Sequence, residues 1–351
     1  MTRRSNSPAA SGAESRAVII VARAGRQLAA AARAAGWQPL VADGFGDADT
    51  RALAVEYEPL PLGPQLDFRP RGLLAAVARL RALAPGAPLV WGSGFEGQPR
   101  LLQTIADHGP VLGSPPAALS MLSDPTAWSR LLRKLKIPHP AVSAGDVARR
   151  GMWVARRSGQ SGGAHVRFLS RGGALLAGEY AQRLVPGRAL SAVFLATARE
   201  VLVTGYSEQR FAPAPTSPFR HAGSITLSAH GLPRKIREEV QQALERLARA
   251  LDLRGLCGID FVLQPEGRWQ LIELNARPPS SFDLHVSARQ MFAAHVAACR
   301  GEALPRLRPR TQCHARVVYF ASSALRIPNW IDWPDWVVDQ PKPNDSVRAG
   351  A

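Results

Sequence analysis

Near the N-terminus, "RAVIIVARAGRQLAAAARAAGWQPLVADGF" runs from an apolar segment through a helical pattern into a second apolar segment, an order that few folds accommodate. Residues 17–22 carry no polar side chain, as a strand covered on both faces requires. The pattern predicts a helix over about 26–35, closed by Gly36, and a strand over 39–42 ending in Asp43. Two strands joined by one helix make a β-α-β unit. The alternation continues with a helix over about 71–83, a strand in "PLVWG", a helix over about 99–107 and a short strand in "PVLG". A parallel sheet with helices on both faces follows, and its ligand-contacting loops belong at the carboxyl ends of the strands. "GSGFEGQ", residues 92–98, is such a loop. Ala24-Gly25-Arg26 does not supply the G-x-G-x-x-G dinucleotide fingerprint.

An amphipathic helical stretch over 117–135 stops at "KIPHP", where two prolines begin a new unit. Within it, "GMWVARRSGQSGGAHVRFLS" places apolar strand-like runs on either side of residues 158–163, predicting a hairpin with a glycine-rich tip. Such a tip can lay backbone N–H groups over phosphates. "EYAQRLVPGRALSAVFLAT" and "VLVTGYSEQRF" are expected to form strands around a Pro-Gly turn, and "GLPRKIREEVQQALERLARALDL" is an amphipathic helix.

That helix leads into "GIDFVLQPEGRWQLIELNARP", where residues 257–263 and 269–274 read as the strands of a hairpin. Glu273 and Asn275 are two apart and share a face, and the hairpin can bring Asp260 opposite them. Two carboxylates and an amide oxygen are hard ligands that suit Mg²⁺, which keeps further positions for water and phosphate. Polar side chains interrupting an apolar strand also need partners once buried.

The net charge of +17 comes from arginines spread along the chain, with lysine only at Lys134, Lys136, Lys235 and Lys342. No basic run marks a nucleic-acid surface, and the charge is expected to favour an anionic nucleotide or an acidic substrate. No apolar run approaches the roughly 20 residues that span a bilayer, so no membrane partner is expected. Residues 1–15 lack the apolar core of a signal peptide and are read as a disordered leader on a cytoplasmic protein. Cys257, Cys299 and Cys313 are odd in number and lack metal-ligand spacing, which points to reduced structural thiols.

With these motifs in place, residues 16–339 resemble the ATP-grasp carboxylate-amine ligases. In that family the counterparts of Asp260, Glu273 and Asn275 bind Mg²⁺. "WVARRSGQSGGAHV" resembles the lid over the ATP phosphates, with Arg156, Ser158, Ser161, Gly162 and Gly163 as contacts, and "YAQRLVPG" resembles the hinge that reads adenine, with Gln182, Leu184 and Val185. The resemblance implies α/β and α+β architecture, namely an ATP-grasp fold with an N-terminal Rossmann-like parallel-sheet domain. It divides the chain into the leader 1–15, the N-terminal domain 16–116, a linker helix and lid 117–180, the C-terminal ATP-grasp domain 181–322 and an extension 323–351. ATP and Mg²⁺, with Mn²⁺ as an alternative metal, are the implied cofactors.

The implied reaction joins a carboxylate to an amine, both small molecules, through an acyl-phosphate. Arg277 would face the carboxylate or acyl-phosphate, with Asn275 and Arg220 as further catalytic candidates. His165 and His221 are weaker candidates, and Glu96 is a candidate for the substrate amine. Pieces such as "GSGFE" and "PFRHAGS" resemble a bacterial subgroup linked to one-carbon cofactor synthesis, of the tetrahydromethanopterin or methanofuran type, which implies a glutamate-type acid. The alternatives are a catalytically weak ATP-binding regulatory protein and a biotin-carboxylase-like enzyme.

The chain departs from the family in places. Arg156 and Arg157 stand where the family has lysine and proline, Pro125 where it has a second phosphate-contacting lysine, and Ala189 near the acid that often holds ribose. "DQPKPNDSVRAGA" is expected to fall short of related sequences. The tryptophans of "NWIDWPDW" are read as packing anchors or an oligomer contact, and a homodimer is among the expectations.

Overall fold

The computed structural model describes residues 16–145, 151–170, 173–228 and 230–350; the leader expected over 1–15 lies outside them. The N-terminal alternation is realised as β1 (Ala17–Ala22), α1 (Arg26–Ala34), β2 (Gln38–Asp43), α2 (Ala48–Leu53), β3 (Glu56–Pro59), α3 (Pro70–Leu83), β4 (Leu89–Trp91), α4 (Pro99–Ala106) and β5 (Val111–Leu112). The strands pair in parallel in the order β3-β2-β1-β4-β5. The strand order reverses between β1 and β4, which opens a crevice beyond their carboxyl ends. Arg23 and the loop 92–98 leave the sheet at that point.

The stretch 117–135, read as one amphipathic run, is instead two helices, α5 (Pro116–Ser123) and α6 (Pro125–Lys134). Asp124 is the reason. Its carboxylate accepts from the backbone N–H groups of Thr126 and Ala127 at 2.9 and 3.0 Å, and Pro125 stands at the first helical position, where no donor is needed.

The middle of the chain forms β6 (Val142–Ser143), β7 (Trp153–Arg157), β8 (Val166–Leu169) and β9 (Glu179–Arg183), an antiparallel sheet ordered β6-β9-β7-β8. The glycine-tipped hairpin is its β7–β8 pair. β9 crosses the 180/181 division expected from the sequence. It also does not pair with the strand that follows Pro186-Gly187. That strand, β10 (Arg188–Ala196), joins β11 (Val201–Phe211), β12 (His221–Thr226), β13 (Gly255–Leu263), β14 (Trp269–Asn275) and β15 (Ala315–Val317) in a second antiparallel sheet, β14-β13-β10-β11-β12-β15.

Two helices cover this larger sheet. α7 (Arg234–Leu251) buries Val240, Leu244 and Leu247 in one apolar cluster with Leu190, Ala192 and Phe194 of β10. α8 (Ala288–Arg300), capped by the Ser287 hydroxyl, packs Met291 and Phe292 against Val193 and Leu195 of β10 and against Ala29 and Ala32 of α1. α8 therefore ties the N-terminal layer to the large sheet. β16 (Leu325–Arg326) and β17 (Ser346–Val347) pair in the C-terminal segment. Trp330 and Trp336, read as packing anchors or an oligomer contact, are 80% and 81% exposed and anchor no core within this chain. No helix among the described residues is long and apolar enough to cross a membrane.

Candidate active site

The β13–β14 hairpin pairs Asp260 with Glu273 and Gly258 with Asn275, and its register shifts between Asp260 and Phe261. That bulge decides which side chains face inward. Without it, Leu271 and Glu273 would share a face; with it, Leu271 and Leu274 join the apolar core while Glu273 and Asn275 turn to the opposite side beside Asp260. The next strand sets Ser191 across from Asp260. The polar face floors a cleft of about 520 Å³.

Most of the residues picked from the sequence line this cleft: Asp260, Glu273, Asn275 and Arg277 from the β13–β14 hairpin and the turn after it, Arg156, Ser161, Gly162 and Gly163 from the glycine-tipped hairpin, and Gln182, Leu184 and Val185 from β9 and the turn after it. His221 and Ala189 line it too, so where an acid was expected near the hinge there is a methyl group.

Two residues lie elsewhere. Ser158 lines a smaller adjoining cavity of about 80 Å³, and its hydroxyl donates to the Ser123 carbonyl. Arg220 is outside both spaces. Its Nε donates to the Ala212 carbonyl at 3.1 Å, Nη1 donates to the Gly350 carbonyl at 3.3 Å, and the guanidinium lies 3.8 Å from the Phe320 ring centroid. C-terminal residues hold that guanidinium away from the cleft.

Arg156 is buried and donates to Glu273 Oε2 at 2.5 Å and to Gln182 Oε1 at 3.1 Å. Burial opposes its charge, but Tyr180, Glu273 and Asp260 outweigh it and raise its pKa. Gln209, unmarked in the sequence reading, donates to Asp260 Oδ1 at 2.6 Å. Its alternation with Ser207 along β11, on a sheet carrying polar residues at matching positions, was the available signal. Asp260 Oδ2 and Glu273 Oε1 have no hydrogen-bond partner among the described residues.

No cluster of three or more His, Cys, Asp or Glu side chains able to hold a metal occurs among the described residues. The two carboxylates and Asn275 are thus a partial ligand set, which fits a cation that retains water and phosphate oxygens, as Mg²⁺ does. Burial, then the neighbouring Glu273 carboxylate, push Asp260 up to about 7. Two crowded carboxylates with an oxygen each to spare are a site short of positive charge.

Proton release from Asp260 should therefore accompany metal binding, and Mg²⁺ affinity should rise between pH 6 and pH 8. Without metal the sign for stability is opposite. Between the ordinary carboxyl pKa of about 4 and the folded value of about 7, the folded state holds the extra proton, so stability falls as pH rises through that window. Titration calorimetry with Mg²⁺ at several pH values checks the first statement, and a pH-independent affinity would contradict it. Thermal melts without metal check the second.

At the crevice between β1 and β4, Arg277 Nε donates to Glu96 Oε1 at 2.6 Å, Arg23 Nη2 lies 3.6 Å from Glu96 Oε2, and the Gly94 N–H donates to Oε2 at 2.6 Å. Burial works against ionisation of Glu96, yet Arg277 and Arg23 prevail and hold its carboxyl below its ordinary range. Glu96 is thus engaged by two guanidiniums. Arg23 was missed in the sequence, although its place directly after an apolar parallel strand marks it as ligand-facing. His165 lines the smaller cavity, where burial, then Arg156, lower its pKa to about 4 and keep the ring neutral.

Residues 123–281 match the family model described as an ATP-grasp domain. No curated protein sequence matches the chain. Among solved structures, the chain is similar to a biotin carboxylase–β,γ-ATP complex from Campylobacter jejuni, with a TM-score of 0.70 and 14% identity over 95% of this chain and 84% of that one. An N5-carboxyaminoimidazole synthetase from Staphylococcus aureus complexed with ADP gives 0.69 and 13% over 95% and 91%. An L-amino acid ligase from Bacillus licheniformis gives 0.68 and 13% over 90% and 83%. At such identities the likeness is one of fold.

Proposed function

We propose, from a chain with the ATP-grasp fold whose residues 123–281 are an ATP-grasp domain, that this protein is an ATP- and Mg²⁺-dependent ligase joining a carboxylate to an amine through an acyl-phosphate. The observation that carries the reading is the polar floor of the large cleft, where Asp260 and Glu273 are paired across the hairpin, Arg156 donates to Glu273, and Arg277 lines the same space. Similarity to an ATP-analogue complex, an ADP complex and an amino acid ligase supports it.

In this reading Val154, Leu184 and Val262 form the apolar walls for the base. Asp260, Glu273 and Asn275 would hold Mg²⁺, which when bound neutralises charge on the phosphate oxygens. Arg156 and Arg277 both line the cleft and supply fixed positive charge for the charge that spreads over the transferred phosphoryl group. A carboxylate oxygen attacks the γ-phosphorus, the bond to the β–γ bridging oxygen breaks, and ADP leaves with the electron pair. The amine then attacks the acyl carbon and phosphate departs. The hairpin tip at 158–163 acts as the lid that keeps water from the acyl-phosphate.

ADP release in the presence of Mg²⁺, measured across carboxylates and amines with products identified by mass, tests the proposal. Release that requires both an acid and an amine is the expected result. Release driven by bicarbonate alone would favour a carboxylating enzyme, and nucleotide binding without any acid-dependent release would favour an ATP-binding protein that does not turn over.

A further inference from the structure

We infer that Gln209 is a positioning residue of the metal site, one that fixes Asp260 so that a single oxygen is left for the cation, and that it thereby sets a preference for Mg²⁺ over Ca²⁺. The inference deepens the ligase reading and rests on it. The spacing of Asp260, Glu273 and Asn275 does not distinguish the two cations, since both take carboxylate and amide oxygens.

Gln209 reaches Asp260 over an intervening strand. Ser191 of β10 pairs with Asp260 of β13 on one side and with Ser207 of β11 on the other, and Gln209 stands two residues beyond Ser207 on the same face. Its side chain therefore runs diagonally above β10. Ala189 and Ser191 are the β10 residues on that face, and both line the cleft together with Gln209. Their small side chains leave the path open. Ala189, near where an acid was expected, keeps free the space that Gln209 uses.

The Gln209 Nε2 donates to Asp260 Oδ1 at 2.6 Å. An ionised carboxylate only accepts, so the amide nitrogen is the atom that faces it. Glu273 is held in the same way, because Arg156 donates to Oε2 at 2.5 Å. Each carboxylate of the hairpin thus has one oxygen held by a fixed donor and one without a partner among the described residues, Oδ2 of Asp260 and Oε1 of Glu273.

Two ligands that each offer one oxygen suit Mg²⁺, which demands near-octahedral geometry and binds through one or two carboxylates. Ca²⁺ takes about six to eight oxygens and readily draws on both oxygens of a carboxylate. Gln209 is neutral, so removing it changes how Asp260 can bind without changing the charge of the site.

The test uses the full chain and a non-hydrolysable ATP analogue, whose binding is followed by titration calorimetry at one fixed pH with Mg²⁺ or with Ca²⁺. The parent should bind the analogue more tightly with Mg²⁺. Gln209→Met keeps the length of the side chain and removes the donor. It should weaken Mg²⁺-dependent binding about tenfold, the scale on which partners of a metal ligand act, and leave Ca²⁺-dependent binding in place, because the freed Oδ1 lets Asp260 grip the larger ion with both oxygens. A change in the Asp260 proton moves both cations alike and cancels in their ratio. Ala189→Met blocks the path above β10 with Gln209 and Asp260 intact, so it should narrow the ratio in the same direction, and it decides alone if thermal melts show Gln209→Met to be unfolded. A parent without a Mg²⁺ preference, an unchanged ratio in the folded variant, or equal losses with both cations would overturn the inference and leave the ligase reading standing. A parent whose binding of the analogue is indifferent to either cation would overturn both.

Discussion

Glu273→Gln should reduce Mg²⁺-dependent ADP release by roughly a hundred- to a thousandfold, the scale on which a single fixed electrostatic contact to a transition state acts. The substitution keeps shape and removes charge. The amide oxygen it introduces still accepts from Arg156 in place of Glu273 Oε2, so the bond between the lid strand and the hairpin has a successor. Melting temperature should therefore move little. The neighbouring acid changes too: with the Glu273 carboxylate gone, one of the two causes that hold Asp260 near 7 disappears, and the pH dependence of Mg²⁺ affinity should shift to lower pH. Steady-state kinetics with saturating Mg²⁺ and a thermal melt decide the matter. Equal turnover in variant and parent would remove this hairpin from the metal site, and a collapsed melt would mean that the Arg156 pair is structural first.

The second large effect is expected at the lid. Gly159 and Gly162 have nearly the same backbone conformation, φ +73° and +79°, yet a side-chain carbon at Gly159 would strike the Gly97 backbone and one at Gly162 would meet nothing within 4 Å. Alanine at either position carries the left-handed strain of about 1 kcal/mol. Only Gly159→Ala also pushes the lid off the loop that carries Glu96. A displacement of about 1 Å in positioned groups can cost a hundredfold in rate, so kcat for Gly159→Ala should fall about a hundredfold and that for Gly162→Ala far less. Proteolysis with a bound ATP analogue gives a second readout, because Gly159→Ala should remain cleavable at the lid under conditions that protect Gly162→Ala. Matching losses in the two variants would reduce the lid contact to backbone strain.

The sequence by itself determined the parallel N-terminal sheet and the pairing partners of the acid-bearing hairpin. Both rest on local rules: apolar runs too short for helices, helical spacing between them, and turn residues at the joints. It also located the glycines at the tip of the β7–β8 hairpin and the spacing of Glu273 and Asn275, since two residues along a regular strand return to one face. Tertiary structure alone decided the rest. The bulge between Asp260 and Phe261 turns Leu271 and Glu273 to opposite sides, and no single-strand pattern encodes a register shift that depends on its partner. Asp124 split one apparent helix into two by capping the second, a competition between local hydrogen bonds that periodicity does not rank. Arg156 meets Glu273 across 117 residues of chain, Arg23 meets Glu96 across the crevice between parallel strands, and Arg220 is drawn off by Gly350, 130 residues on. A guanidinium has the same sequence signature whether it faces phosphate, carboxylate or a backbone carbonyl. Which of these it meets is set by long-range packing, because burial removes water as the alternative partner and leaves each charge to whatever the fold brings beside it.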